Sequence, residues 1–354
     1  MNRIIVISFA LAFLVVAITA HRAAGDDFGS GANTFTIDFV TIADPGNPAD
    51  ETGGPNPAGS VSYIYRISTF EISEDIINKA NAEAGLGIGQ SNRGPDKPST
   101  RVSWFDAARF VNWLNTSKGH PPAYKFNGGT FELWGPSDPG YDPENLYRNR
   151  RARYVLPSAH EWYKAAYYDP SAAGYFDYPT GSDAAPSPVA SGTTSGTAVF
   201  DQPFLQGPAD VSKAGGPSPW GTVGQGGNVY EWEESSQFLN NSHPDERRGF
   251  RGGSWEFGVI DLSSSWRLDG HPADTIPEVG FRVASILYRE GDLDCNEQID
   301  AGDISAFVLA LINSTSYEAM HPNCSPNLAD VNHDGRLDGG DLQDFANLIL
   351  TGES

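Results

Sequence analysis

The sequence predicts an α+β fold of short elements and packed loops, followed by a small all-α module of two loop–helix units. Three observations carry this. Glycine (39) and proline (25) are abundant in a chain of 354 residues, which favours turns over long helices. Alternating apolar runs and two amphipathic stretches lie between residues 34 and 169. An acidic pattern repeats in register near the C-terminus.

Taken in order, Arg3, the apolar run "IIVISFALAFLVVAITA" and the small residues "AAG" at 23–25 read as a signal peptide over 1–25. The expectation is a secreted or cell-surface protein with no membrane span after cleavage near Gly25, since no second run of spanning length follows. "FTIDFVTI" alternates as a strand, and "SVSYIYRISTFEIS" is a second such run with Tyr63, Tyr65, Ile67 and Phe70 as its bulky members. "SWFDAARFVNWLNT" predicts a helix capped by Ser103, with Phe105, Ala108, Phe110, Val111 and Leu114 as its stripe. "ARYVLPSAHEWYKAAYYD" predicts a short strand, a turn at Pro157 and a helix capped by Ser158. Residues 170–227 are rich in Gly, Ser, Pro and Ala, the composition of packed loops or a lid. Residues 26–287 thus form one α+β domain and 288–354 a second.

The net charge of −22 argues against nucleic acid as a partner. The basic run "RNRRARY" at 148–154 reads as a solvated edge, with a sulfated or carboxylated ligand as the other reading. His160–Glu161 lacks the second histidine of a zinc-protease helix. Glu231, Glu233 and Glu234 lie along one segment, which does not define the opposed pair of a glycosidase.

About half of the net charge lies in residues 291–354. "DLDCNEQIDAGD" at 292–303 and "DVNHDGRLDGGD" at 330–341 place oxygen-bearing side chains at positions 1, 3, 5, 9 and 12 of both segments. Such spacing suits calcium, which takes six to eight oxygens, one of them the backbone carbonyl of position 7. The first loop would use Asp292, Asp294, Asn296, Asp300 and Asp303 with the Gln298 carbonyl, and the second Asp330, Asn332, Asp334, Asp338 and Asp341 with the Arg336 carbonyl. Each runs into an apolar helix, with stripes at Ile304, Phe307, Val308 and Leu311 and at Leu342, Phe345, Ala346 and Ile349. The only cysteines, Cys295 and Cys324, fit one disulfide in an exported chain. A zinc site with His321 and His333 is the competing reading of that pair.

The paired loops resemble a dockerin over residues 291–350, a paired F-hand module. That resemblance implies calcium as a cofactor and a cohesin-like protein as partner. Glu297 stands at position 6 where glycine is usual, and positions 10 and 11 are Ala301–Gly302 and Gly339–Gly340 where Ser/Thr is common.

"RVSWFDAARFVNWLN", "YVLPSAHEWYKAAYYD", "GGNVYEWEES", "FRGGSW" and "EVGFRVAS", in that order, resemble the formylglycine-generating enzyme (sulfatase-modifying factor) family. The resemblance implies a C-type-lectin-like architecture with little regular secondary structure. Active members carry two Cu(I)-binding cysteines after the Gly-Gly-Ser-aromatic motif. Here that segment is "EFGVIDLSSSWR", residues 256–267, and it has none. Serine cannot replace the soft thiolate ligands of Cu(I). No catalytic residue is therefore assigned, and a peptide or glycan ligand of the large domain is expected instead. The rival is cysteine-independent catalysis in the same pocket, with His160, Glu231 and Arg267 as its residues. His160, Trp255 and Arg267 are the pocket candidates, and the family's structural calcium site maps to the Gly227 and Val229 carbonyls and Glu231.

Overall fold

The computed structural model describes residues 24–287, 290–294, 298–321, 324–332 and 336–351. Strand Phe35–Ile42 alternates as expected, burying Phe35, Ile37, Phe39 and Ile42. It joins a five-stranded antiparallel sheet in the order 24–28, 35–42, 65–68, 284–286, 154–155. The central strand Tyr65–Ser68 is buried along its whole length, shorter than the run that predicts it. The second sheet has the order 268–270, 248–251, 230–236, 279–280, with strand Tyr230–Ser236 inside it and buried at every position. Strand 248–251 pairs antiparallel on one side of it and 279–280 parallel on the other.

Three helices serve this domain: α1, Glu74–Ala84; α2, Trp104–Ser117; and α3, Ala159–Tyr167. Ser103 caps α2 by accepting from the Asp106 amide at 3.1 Å. Trp104 and Ala107 join the predicted buried stripe, while Phe105 is only half-buried. Ser158 and Glu161 form a reciprocal capping box on α3, Ser158 Oγ accepting from the Glu161 amide at 3.2 Å and Glu161 Oε2 from the Ser158 amide at 2.6 Å. Ser158→Ala is expected to cost about 1 kcal/mol, read as a lower urea midpoint with an unchanged slope.

The loops between these elements are held by buried donors. Trp104 Nε1 donates to the Glu233 carbonyl and Trp232 Nε1 to the Val102 carbonyl, both at 2.9 Å, so each indole fixes a distant stretch of backbone. Residues 170–227 are such packed loops, with strand pairs of two residues only. Gly227, at φ 83°, lies so close to the Val199 carbonyl that any Cβ would collide with it.

Beyond residue 290 the core is separate: Leu293, Ala306, Phe307, Ala310, Tyr317, Cys324, Leu328, Ala329, Val331 and Phe345. Its helices are α4, Asp303–Ile312; α5, Ser314–Met320; and α6, Leu342–Thr351. The two loop–helix units meet face to face where Phe307 stacks on Phe345 with ring centroids 3.8 Å apart. No described helix is long and apolar enough to cross a membrane.

Candidate functional site

Strand Tyr230–Ser236 carries three buried carboxylates, and each meets its own arginine. Glu231 is held by Arg282, with Nε at 2.5 Å from Oε2 and Nη2 at 2.6 Å from Oε1, and by Trp162 Nε1 at 2.6 Å. Glu233 lies between Arg251 Nε at 2.8 Å and Arg267 Nε at 2.7 Å. Glu234 accepts from Arg148 Nε and the Tyr124 hydroxyl, both at 2.8 Å, and from Asn145 Nδ2 at 2.5 Å. Arg148 also grips Glu161 through both Nη atoms, at 2.9 and 2.8 Å.

These placements set the titration of the centre. Burial raises the Glu161 carboxyl, but Arg148, the Tyr63 hydroxyl and the Ser158 amide overcome it and hold the group at about 2. Burial wins at Glu234, which is raised despite Arg148. Glu71, accepting from Asn228 Nδ2 at 2.9 and 3.0 Å, is pushed well above the carboxylate range by burial and by the Glu231 charge. Close approach is needed here: a Cβ at Gly249 would collide with Glu233 and Arg267.

The basic run is not a solvated edge. Arg148 is buried between two carboxylates, Arg150 pairs with Asp142 at 3.0 Å, and Arg151 is 7% exposed and reaches Glu318 of the C-terminal module at 3.3 Å. Of the pocket candidates, His160 accepts the Gly59 amide on Nδ1 at 3.1 Å, and burial lowers its pKa. Trp255 is fully buried, with Arg93 4.4 Å above its ring, and Arg267 belongs to the Glu233 cluster. At the mapped structural-calcium position, both Glu231 oxygens are engaged by Arg282, so a guanidinium already supplies the positive charge.

Sequence reasoning missed Arg251, Arg282 and Arg148 as the partners of the strand. One signal was present: Gly-Phe-Arg occurs at 249–251 and again at 280–282, and each arginine meets one glutamate of the strand.

Segment 256–267 lies beside this centre, its Asp261 hydrogen-bonded to Tyr230. Phe257 (42%) and Ile260 (57%) are exposed there, as are Phe204 (50%) and Leu205 (94%) on the adjoining loop. The loops are joined by Asp201 N to Phe257 O at 3.0 Å and Gln202 N to Trp255 O at 2.7 Å. Two small concavities lie elsewhere. One, of about 160 Å³, is floored by Phe28 and Trp113, and the other, of about 250 Å³, lies between Pro136–Pro139, Arg151 and Glu318–Ala319.

In the C-terminal module the loops repeat their hydrogen bonds in register. Asp303, fully buried, accepts from the amides of Leu293 (2.6 Å), Asp294 (3.1 Å) and Asp300 (2.9 Å). Asp341, also buried, accepts from Asn332 (3.4 Å) and Asp338 (3.1 Å). Position 9 turns onto position 11 in both, with the Gly302 amide 2.6 Å from Asp300 and the Gly340 amide 2.7 Å from Asp338. Carboxylate oxygens of Asp292, Asp294 and Asp303 lie within 4.8 Å of one another. This hard-oxygen set fits a calcium-sized cation better than a softer metal. Asn296, Asp334, His333 and Cys295 fall outside the described residues; Cys324 is disulfide-bonded.

The fold and centre define an α+β, loop-rich domain organised around a strand of arginine-neutralised glutamates. The chain belongs to the sulfatase-modifying factor enzyme 1-like (FGE-sulfatase) family, whose model matches residues 50–287. Among solved structures it is similar to Treponema denticola variable protein 1, with a TM-score of 0.51, 18% identity, and coverage of 74% of this chain and 99% of that one. It is also similar to CarF, with a TM-score of 0.52, 23% identity, and coverage of 71% and 99%. These likenesses show the fold alone. No curated protein matches the chain significantly.

Proposed function

We propose that this is an exported recognition protein, in which a non-catalytic formylglycine-enzyme-like domain is tethered through a calcium-loaded, dockerin-like module. The observation that carries the reading is the chemistry of segment 256–267, which holds no cysteine, while Cys324 of the C-terminal module is disulfide-bonded. The rival, cysteine-independent catalysis by His160, Glu231 and Arg267, has two of its three groups engaged in ion pairs, Glu231 with Arg282 and Arg267 with Glu233. The exposed Phe204, Leu205, Phe257 and Ile260 favour an apolar peptide over a glycan as ligand.

Two features support attachment to a cohesin-like protein. Ile304, Val308 and Ile312 form an exposed stripe on α4, and Leu342, Ala346 and Leu350 form its counterpart on α6. Cleavage after Gly25 would remove the first two residues of strand 24–28 and keep Asp26, whose carboxylate binds Arg66 and Tyr154.

The test is capture from cell-envelope and secreted fractions, in calcium and in chelator, with the chain from residue 26 and with a version ending at 287. Capture that needs both calcium and the tail supports tethering. Capture by the shorter version alone moves the function into the large domain. Incubation with Cu(I) and a cysteine-bearing sulfatase peptide is expected to leave that cysteine unconverted by mass spectrometry; formylglycine would sink the non-catalytic reading.

A further inference from the structure

The contact between the basic run and the C-terminal module has a built geometry on both sides. On the large domain, Asn149 Oδ1 accepts the Arg151 amide at 2.9 Å and Asn149 Nδ2 donates to the Pro139 carbonyl at 3.1 Å. Asn149 thus ties the Arg151 backbone to the wall at Pro139. On the module, Tyr317 and Glu318 are adjacent on α5. The buried Tyr317 hydroxyl donates to the Leu293 carbonyl at 2.8 Å, inside the first acidic loop, and Glu318 pairs with Arg151 at 3.3 Å. The group that touches the loop and the group that touches the large domain are thus consecutive residues of one helix.

We propose that the C-terminal module docks on its own large domain through Arg151 and Glu318, and that α5 couples calcium loading of the first loop to this intrachain contact. The coupling rests on the calcium reading above. A filled loop fixes the Leu293 carbonyl and with it Tyr317, which presents Glu318 to Arg151. An empty loop leaves Asp292, Asp294 and Asp303 repelling one another and frees α5 to shift. The partner of this surface is thus an arginine on a hydrogen-bonded loop of the same chain.

Hydrogen exchange on the full chain, with calcium binding followed in parallel by calorimetry, tests it. Calcium is expected to slow exchange across 137–151, a segment with no calcium ligand. Glu318→Lys should bind calcium unchanged yet exchange there about fivefold faster, the factor equivalent to about 1 kcal/mol for a partly exposed ion pair. Arg151→Glu combined with Glu318→Lys should restore the protection. Calcium binding with no change in 137–151 overturns the docking and leaves the calcium reading intact. Absence of calcium binding overturns both.

Discussion

Arg148→Met is expected to cost the large domain about 3–5 kcal/mol, the usual penalty for removing one partner of a buried ion cluster. Arg148 sits between Glu161 and Glu234, and its Nη2 also donates to the Leu156 carbonyl at 3.1 Å. Both glutamates are fully buried, so the variant would strand two carboxylates without a counter-charge. Urea unfolding followed by tryptophan fluorescence reads the loss. A companion carrying Arg148→Met, Glu161→Gln and Glu234→Gln removes the stranded charges and should recover much of it. A loss below about 1 kcal/mol in the single variant would mean that water reaches the cluster and screens it.

The pH dependence has a definite sign. Glu161 is held at about 2 in the folded chain, below its unfolded value, so its contribution is complete above about 4.3 and is lost as pH falls toward 2. Glu234 is raised, so it acts the other way: its contribution is present below the unfolded value and is lost as pH rises through its folded value. In Arg148→Met both groups would follow the second pattern. Acidification from pH 6 to 4 is then expected to narrow the gap between variant and parent, and a gap that widens would contradict the assignment of charge.

Local signals were legible and long-range pairings were not. Ser103 and Ser158 mark their helices because a cap acts within three residues, and the alternation of 35–42 reports one buried face directly. Helix α1 escaped notice because it buries little, only Glu74, Ile77 and Ala80, although Ser73 and the acidic pair Glu74–Asp75 mark its start. The solvated-edge reading of the basic run fails because, although Asp142 and Glu161 lie nearby in sequence, two of its partners are far along the chain. Glu234 is 86 residues from Arg148, and Glu318 is 167 from Arg151. Likewise the three glutamates of strand 230–236 looked like a loose acidic run until sheet register brought Arg251 and Arg282 onto either side.

Chelation of calcium is expected to unfold the C-terminal module while leaving the large-domain transition in place. The module has its own small core, and carboxylate oxygens of three aspartates of the first loop, Asp292, Asp294 and Asp303, lie within 4.8 Å of one another. A cation bound only by the folded form stabilises it by about 4 kcal/mol when present at about a thousand times its dissociation constant. Asp303→Ala should do more than delete a ligand, because Asp303 also accepts three backbone amides that shape the loop. Calorimetry should therefore fall from two calcium ions to one, with the residual site weakened through the Phe307–Phe345 stack that joins the halves. Asp341→Ala is the mirror experiment, and its similar geometry predicts a similar loss. Magnesium, which demands a smaller octahedral shell, should restore little. Recovery by zinc and not by calcium would transfer the site from the aspartates to His321 and His333, and with it the whole account of the paired loops.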